Sequence, residues 1–280
     1  MTTKSIKNES LALRFLYKTA LGRMLLKPLC SRSVSSVCGR FLDSKASKPL
    51  IRSFVRKYDI DLTDYYSGFN SFNEFFTRKI QANKRPIDRD PSALISPCDG
   101  LLSAYRITGD TVIPVKQSKY TISSLLVGDP IAKRYNNGIC LVFRLCVDNY
   151  HRYCYIDSGT KGENVFLSGK LHTVRPIALE KYPVFSQNCR EYTVIETENF
   201  GTVVQMEVGA MLVGRIKNHH GKGKVTRGAE KGMFLYGGST VIVLLEDGAA
   251  CLPEEIFKMT ENGVEKPVKM GEKIGCRKQA

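Results

Sequence analysis

What this 280-residue chain lacks narrows its class first. No apolar run approaches the ~20 residues that a membrane-crossing helix needs. The opening MTTKSIKNES has neither the apolar core nor the small-residue cleavage site of a secretory signal, so a cytoplasmic chain is expected. The nine cysteines (Cys30, Cys38, Cys98, Cys140, Cys146, Cys154, Cys189, Cys251 and Cys276) contain no CxxC pair, and their number is odd. That pattern suits reduced thiols better than a disulfide framework or a zinc site, and no metal is expected. Repeats and low-complexity tracts are also missing, which leaves an ordinary folded protein with ample chain for a core.

Acidic residues are scarce at the start. Residues 1–56 hold 12 lysines and arginines against Glu9 and Asp43, so one fifth of the chain carries +10 of the net +15. Such a concentration fits an anionic partner, either nucleic acid or anionic lipid. Within it, LALRFLYKTALGRMLLKPL (11–29) places Leu13, Leu16, Ala20 and Met24 on one helical stripe, widened by Phe15, Leu21 and Leu25. Arg14, Lys18 and Lys27 point elsewhere, and Pro28 should end the helix. Basic residues beside a broad Leu, Met and Phe face suit an interfacial membrane helix; the same stripe would serve for packing on the protein's own core.

A second helix is expected within YYSGFNSFNEFFTRKI (65–80), starting near Ser71, which forms a capping box with Glu74. Phe72, Phe75, Phe76 and Ile80 would share its inner face. From Leu94 onward short β-rich runs alternate with Gly, Asn and Asp, as in LLSAYRI, GICLVFRLCV and YTVIETENFGTVVQMEVGAMLVGRI. The fold class read from this is α+β: a basic helical part (1–60) packed with a β-rich antiparallel sheet or sandwich body (61–280).

Polar clusters interrupt the β-rich body. Asp99 in Ser96-Pro97-Cys98-Asp99-Gly100 has the setting of an Asx-turn, His151 follows an apolar strand, His172 stands in LHTVRPI, and His219-His220 lie in a turn-like stretch. FLYGGSTVIVLL (234–245) reads as a hairpin, with Gly237-Gly238 as the turn between strands ending at Tyr236 and beginning at Thr240. It also sets Ser239 on a sterically open backbone, where its hydroxyl could reach the preceding carbonyl. An Asp, a His and a Ser suffice for an orienting carboxylate, a base and an activated hydroxyl, although no GxSxG elbow is present.

Phe75-Phe76-Thr77-Arg78, Ser96-Pro97-Cys98-Asp99-Gly100, Tyr150-His151-Arg152, Val208-Gly209-Ala210-x-x-Val213-Gly214, and Lys231-Gly232-Met233-Phe234 leading into Gly237-Gly238-Ser239-Thr240 resemble, in that order, the phosphatidylserine decarboxylase family. The resemblance runs from about residue 70 to 245, and its specificity lies in five motifs in sequence. It implies self-cleavage between Gly238 and Ser239 into a β chain (1–238) and an α chain (239–280) whose first residue becomes a covalent pyruvoyl group. That cofactor would form a Schiff base with the lipid's serine amine and serve as electron sink while CO₂ leaves, giving phosphatidylethanolamine. The resemblance further implies Asp99 orienting a histidine, His151 as a proton donor or phosphate contact, and Tyr150 and Arg152 as substrate contacts. Partners would be phosphatidylserine in anionic membranes and the two halves of one precursor, with a homodimer admitted and nucleic acid set aside. The place would be the cytoplasmic face of the cell membrane, peripherally.

Three departures stand out. The family's His-Arg-x-His carries Cys154 at its last position, Asp-Tyr-His is Asn149-Tyr150-His151 with Asp148 just before, and Val-Gly-Ser-Ile is Val213-Gly214-Arg215-Ile216, which adds a cation near the site. His151 would then serve both steps, or Cys154 or His172 would replace the missing base, or maturation would be impaired. Two other functions stay open: a pyruvoyl decarboxylase of a soluble amino acid, and an uncleaved, non-catalytic membrane-binding relative.

Overall fold

The computed structural model describes residues 11–109, 113–115, 118–179, 182–210, 215–236 and 239–278. The basic segment folds as four helices, α1 (Leu11–Lys18), α2 (Ala20–Leu29), α3 (Arg32–Asp43) and α4 (Pro49–Tyr58), followed by the short α5 (Phe72–Phe76). Then come β1 (Ala93–Ile95), β2 (Gly100–Arg106), β3 (Ile113–Val115), β4 (Ser118–Tyr120), α6 (Ile122–Leu125), β5 (Ile139–Leu145), β6 (Arg152–Cys154) and β7 (Gly159–Leu167). The remainder is α7 (Pro176–Leu179), α8 (Val184–Gln187), β8 (Arg190–Thr197), β9 (Thr202–Val208), β10 (Ile216–Asn218), β11 (Gly223–Val225), β12 (Glu230–Phe234), β13 (Ser239–Leu245), β14 (Ala250–Cys251), α9 (Glu254–Glu261), β15 (Lys266–Val268) and β16 (Lys273–Arg277). The α+β class read from the sequence is the one found.

An eight-stranded antiparallel sheet organises the body, in the order β11-β7-β8-β9-β13-β5-β2-β15. One face carries Cys140, Val142, Met206, Val208, Ile242 and Leu244 against Tyr17, Leu26 and Cys30 of the N-terminal segment, together with residues of α6, α7 and α8. The other carries Leu102, Leu141, Phe143, Leu145, Val241 and Val243 against Tyr153, Phe234, Ile256 and Ile274. Because both faces are covered, β13 is apolar without alternation and all seven of its residues are buried. A satellite cluster of Leu42, Phe72, Phe75 and Phe76, joined by Phe54 and Tyr236, ties α3, α4 and α5 to the segment before β13.

Local differences from the sequence reading have local causes. The helix expected over 11–29 breaks at Thr19, whose side chain accepts from Gly22 N (2.9 Å) and donates to Phe15 O (2.9 Å). A Cβ on Gly22 would sit 2.0 Å from Phe15 O, so the corner requires glycine. The break splits the stripe: Tyr17 and Leu26 turn inward, while Leu11, Phe15, Leu21, Met24 and Leu25 are exposed. Pro28 falls in the last turn of α2, which ends one residue later. Ser71 caps α5 by accepting from Glu74 N, but the helix stops at Phe76, and Ile80 instead bridges to Tyr65. The hairpin expected around Gly237-Gly238 is not formed: β12 belongs to a small sheet, β10-β12-β6, and β13 to the large one. The chain changes sheets there, and Gly237 and Gly238 themselves lie outside the described residues, as do Val213 and Gly214.

Candidate active site

Ser239 opens the central strand of the large sheet. Register sets it opposite Leu145, the last residue of β5, while Thr240 opposes Val208, the last of β9. The strand ends therefore gather around this serine. Leu101 of β2 opposes Arg144, which opposes Thr240, so Asp99 lies at the same end of the sheet. By strand spacing it is two strands, roughly 10 Å, from Ser239. Ser239 shares a face with Leu145 and Val241, the face over which β6 and β12 pack. It is fully buried, and its Oγ has no hydrogen-bond partner among the described residues. Leaving a buried hydroxyl unpaired costs on the order of 1–3 kcal/mol, so such a group calls for a functional account.

The residues before the glycine pair are tightly held. Phe234 N donates to His151 O (2.9 Å), Leu235 N to Arg215 O (3.2 Å) and Tyr236 N to Asn73 Oδ1 (3.1 Å). The Tyr236 ring packs edge-on against Phe54, Phe72 and Phe76. Tyr236 is therefore fixed on one side of the glycine pair and β13 on the other.

His151 sits beside this anchor, fully buried and with its ring centroid 4.0 Å from that of Phe76. Its Nδ1 lies 2.9 Å from the carbonyl of Asn149, which can only accept. The proton is thus on Nδ1 and the lone pair on Nε2, an atom that is buried and unpartnered among the described residues. Burial first, and the Arg78 guanidinium second, pull the His151 pKa down to about 3, which keeps the ring neutral at pH 7. Arg78 converges on the same carbonyl: Nη2 donates to Asn149 O (3.2 Å) and Asp148 O (2.9 Å).

On the Ser239 face, one pleat further along, a buried ion pair joins the two sheets. Lys231 Nζ of β12 lies 2.6 Å from Glu207 Oε2 of β9, both fully buried, and Asn218 bridges Lys231, Glu207 and Glu191. Burial pushes the Glu207 carboxyl up while Lys231 pulls it back.

The other residues singled out in the sequence are engaged in contacts of their own. Asp99 does not orient a histidine: both its oxygens are taken by Arg85 (2.8 and 2.6 Å), and Oδ1 also accepts from Met270 N (2.9 Å). A guanidinium fork matches a carboxylate in two bonds, where an imidazole offers one. Cys154, where the resemblance leads one to expect a histidine, is buried within the apolar core with its Sγ 4.0 Å from Ser96 O, and burial pushes its thiol up to about 12. It is held as a thiol, not as a base. His172 faces the N-terminal helices, with Nδ1 3.3 Å from Tyr17 OH and 3.5 Å from Cys30 Sγ, and its ring stacks on Tyr182. Its backbone reaches the site through Asn188, whose Nδ2 donates to both His172 O and Gly209 O at 2.7 Å. Arg152 is a strap from Thr77 O (2.8 Å) to Glu230 (2.7 Å), and Tyr150 is buried beside Tyr65. The cation of Arg215 is spent on Asp43 (2.5 Å) at the surface. Arg85 and Asn73 carried no sequence signal, whereas Arg78 closed the Phe-Phe-Thr-Arg motif without a role attached to it.

Among the described residues no cluster of side chains could hold a metal ion. The surroundings of Ser239 fit a pyruvoyl group made from that residue: its hydroxyl has no hydrogen-bond partner among the described residues, its strand is paired on both sides, and the segment up to Tyr236 is held by hydrogen bonds.

The pattern of the phosphatidylserine decarboxylase family matches residues 72–276. Phosphatidylserine decarboxylase proenzyme 2 of Clostridium acetobutylicum is 46% identical over 274 residues, covering 97% of this chain and 93% of that protein. Phosphatidylserine decarboxylase proenzymes of Clostridium botulinum and Clostridium beijerinckii are 40% and 37% identical, covering 95% and 99% of this chain and 92% and 97% of theirs.

Proposed function

The chain belongs to the phosphatidylserine decarboxylase family, and from that premise we propose that it cleaves itself between Gly238 and Ser239 and then converts phosphatidylserine to phosphatidylethanolamine and CO₂. The observation that carries the reading is the buried hydroxyl of Ser239 at the start of the central strand, without a hydrogen-bond partner among the described residues. Ser239 Oγ attacks the Gly238 carbonyl carbon, a C–O bond forms, the C–N bond breaks, and the amine takes up the hydroxyl proton. His151 Nε2, on a neutral ring and without a partner among the described residues, is the group assigned to relay that proton. Loss of the Ser239 α-proton then expels the Gly238 carboxylate, and water releases ammonia to leave a pyruvoyl group.

That group supplies an electron sink for decarboxylation when joined to the substrate amine. The remaining work falls to the chain. In this reading His151 would hold the proton for the reacting carbon, and Phe76, packed on His151 and Tyr236, would exclude water. Cleavage would not release the 42-residue α chain. β13 pairs with both β5 and β9, β15 with β2, and β16 with β1, so the fragment is threaded through the core.

The lipid would be met through the N-terminal helices. Leu11 (81% exposed), Met24 (68%) and Leu21 (59%) stand out from α1 and α2, with Val37 and Phe41 on α3, among the lysines and arginines of this segment. No helix among the described residues is long and apolar enough to cross a membrane. Exposed leucines among cations suit peripheral insertion into an anionic surface. The test is mass spectrometry of the recombinant protein, with two chains expected and the smaller blocked at its N-terminus. An intact chain that still releases CO₂ from phosphatidylserine would refute the mechanism.

A further inference from the structure

Arg78 is 1% exposed, yet its Nε and Nη1 are buried with no hydrogen-bond partner among the described residues. Among the described residues Nη2 donates to the carbonyls of Asp148 and Asn149, no carboxylate is hydrogen-bonded to the guanidinium, and the Tyr65 hydroxyl lies near enough to favour its charge. Asp99 and Asp148 are the acids near enough to favour its charge, and Asp99 is already engaged by Arg85. The guanidinium instead lies between aromatic faces, 4.5 Å from the Tyr65 centroid and 5.3 Å from that of Phe75. Cation–π contact offsets part of the desolvation but leaves the Nε–H and Nη1–H donors without a hydrogen bond among the described residues. Tyr65 is half-buried and Phe75 fully buried, so Tyr65 is the outer of the two rings.

Resting on the function proposed above, we infer that Arg78 binds the phosphodiester of the lipid headgroup. Three observations favour an anion there. Among the described residues no carboxylate is hydrogen-bonded to the charge, the Nε–H and Nη1–H edges each have a donor for an anion's oxygen, and the guanidinium shares the Asn149 carbonyl with His151, which places it at the reacting end of the substrate. The choice of phosphate over the substrate carboxylate follows from the chemistry. A carboxylate that must leave as neutral CO₂ loses its charge in the transition state, so a guanidinium on it would stabilise the ground state and slow the step. The phosphodiester keeps its charge throughout and can be gripped without that penalty.

The experiment uses the mature protein and reads binding apart from turnover. Dihexanoyl phosphatidylethanolamine carries the phosphodiester and lacks the carboxylate. Arg78→Met should weaken its binding roughly ten- to hundredfold, the range for losing charge-assisted hydrogen bonds, with Arg78→Lys between that variant and wild type. Inorganic phosphate should compete with the lipid on wild type and lose its effect on Arg78→Met. Unchanged phosphatidylethanolamine binding by Arg78→Met overturns the proposal, as does a loss confined to dihexanoyl phosphatidylserine, which would assign Arg78 to the carboxylate. Should Arg78→Met fail to fold or mature, Tyr65→Trp supplies an independent reading, because the chain has no tryptophan of its own. Its fluorescence should respond to dihexanoyl phosphatidylethanolamine and to phosphate but not to dihexanoylglycerol. Silence toward both phosphate-bearing probes overturns the proposal. If wild type releases CO₂ from phosphatidylserine while these binding results fail, the function stands and Arg78 alone is misassigned; if wild type releases none, both fall.

Discussion

Lowering the pH from 7 to 5 should destabilise the uncleaved precursor through two buried histidines. Burial pulls His151 down to about 3 and His172 to about 4, from an ordinary value of 6.5. Below pH 6.5 the unfolded chain takes up protons at both positions and the folded chain does not, so stability falls as pH falls, until each folded value is reached. The slope is about 1.4 kcal/mol per pH unit for each histidine, which by pH 5 amounts to about 2 kcal/mol apiece and about 4 kcal/mol together. The carboxyls with a resolved downward shift, Asp61 and Asp90, act in the same direction but only near and below pH 4, whereas Glu207, raised by burial, acts in the opposite one; both contributions cancel when two proteins that differ only at His172 are compared. Urea denaturation of the Ser239→Ala precursor, a single covalent species, would be followed at half-unit pH steps with and without His172→Phe. Phenylalanine keeps the stack on Tyr182 and cannot titrate, so the stability difference between the two proteins should change by about 2 kcal/mol from pH 7 to pH 5. A difference that stays constant across that window would show that His172 titrates alike in both states, and the burial argument for His151 would lose its support.

Lys231→Met should destabilise the precursor by roughly 3–5 kcal/mol, because it strands Glu207 fully buried. Adding Glu207→Leu should recover most of the loss, and urea midpoints of the single and double variants would check it. Ser239→Ala should abolish chain splitting on a denaturing gel and His151→Ala should slow it by at least about a hundredfold, the contribution of a positioned acid–base group. Cys154→Ser should split at close to the wild-type rate, since the buried thiol is held protonated; arrested splitting in this variant would make Cys154 the base. Replacing Leu11, Leu21 and Met24 together by Asp should weaken co-sedimentation with phosphatidylserine vesicles by at least about tenfold (~1.4 kcal/mol). These substitutions test the surface more cleanly than deleting residues 1–30, which would also strip Tyr17, Leu26 and Cys30 from the core. Unchanged co-sedimentation would place the lipid contact elsewhere.

The sequence by itself determined the α+β class, the basic helical start, the apolar continuity of β13 and the five motifs that mark the family. Each is a local property: helical spacing, β-branched runs, and glycines beside a serine can be read without knowing what they touch. The break at Thr19 was also local in cause, but it depends on the close approach of Gly22 to Phe15, which spacing alone does not show. Only the tertiary structure decided how the polar residues are spent. Asp99 is claimed by Arg85, Arg152 by Thr77 and Glu230, and Arg215 by Asp43, so three residues that looked available for chemistry are engaged in holding the fold. Gly237-Gly238 looked like a hairpin turn because both flanks are β-rich, yet the strands on either side enter different sheets. The same long-range packing left His151 Nε2, Ser239 Oγ and two donors of Arg78 buried and without hydrogen-bond partners among the described residues. Whether a polar group is satisfied depends on atoms brought near it from distant parts of the chain, and for that reason the spare valences of this site became visible only in the folded molecule.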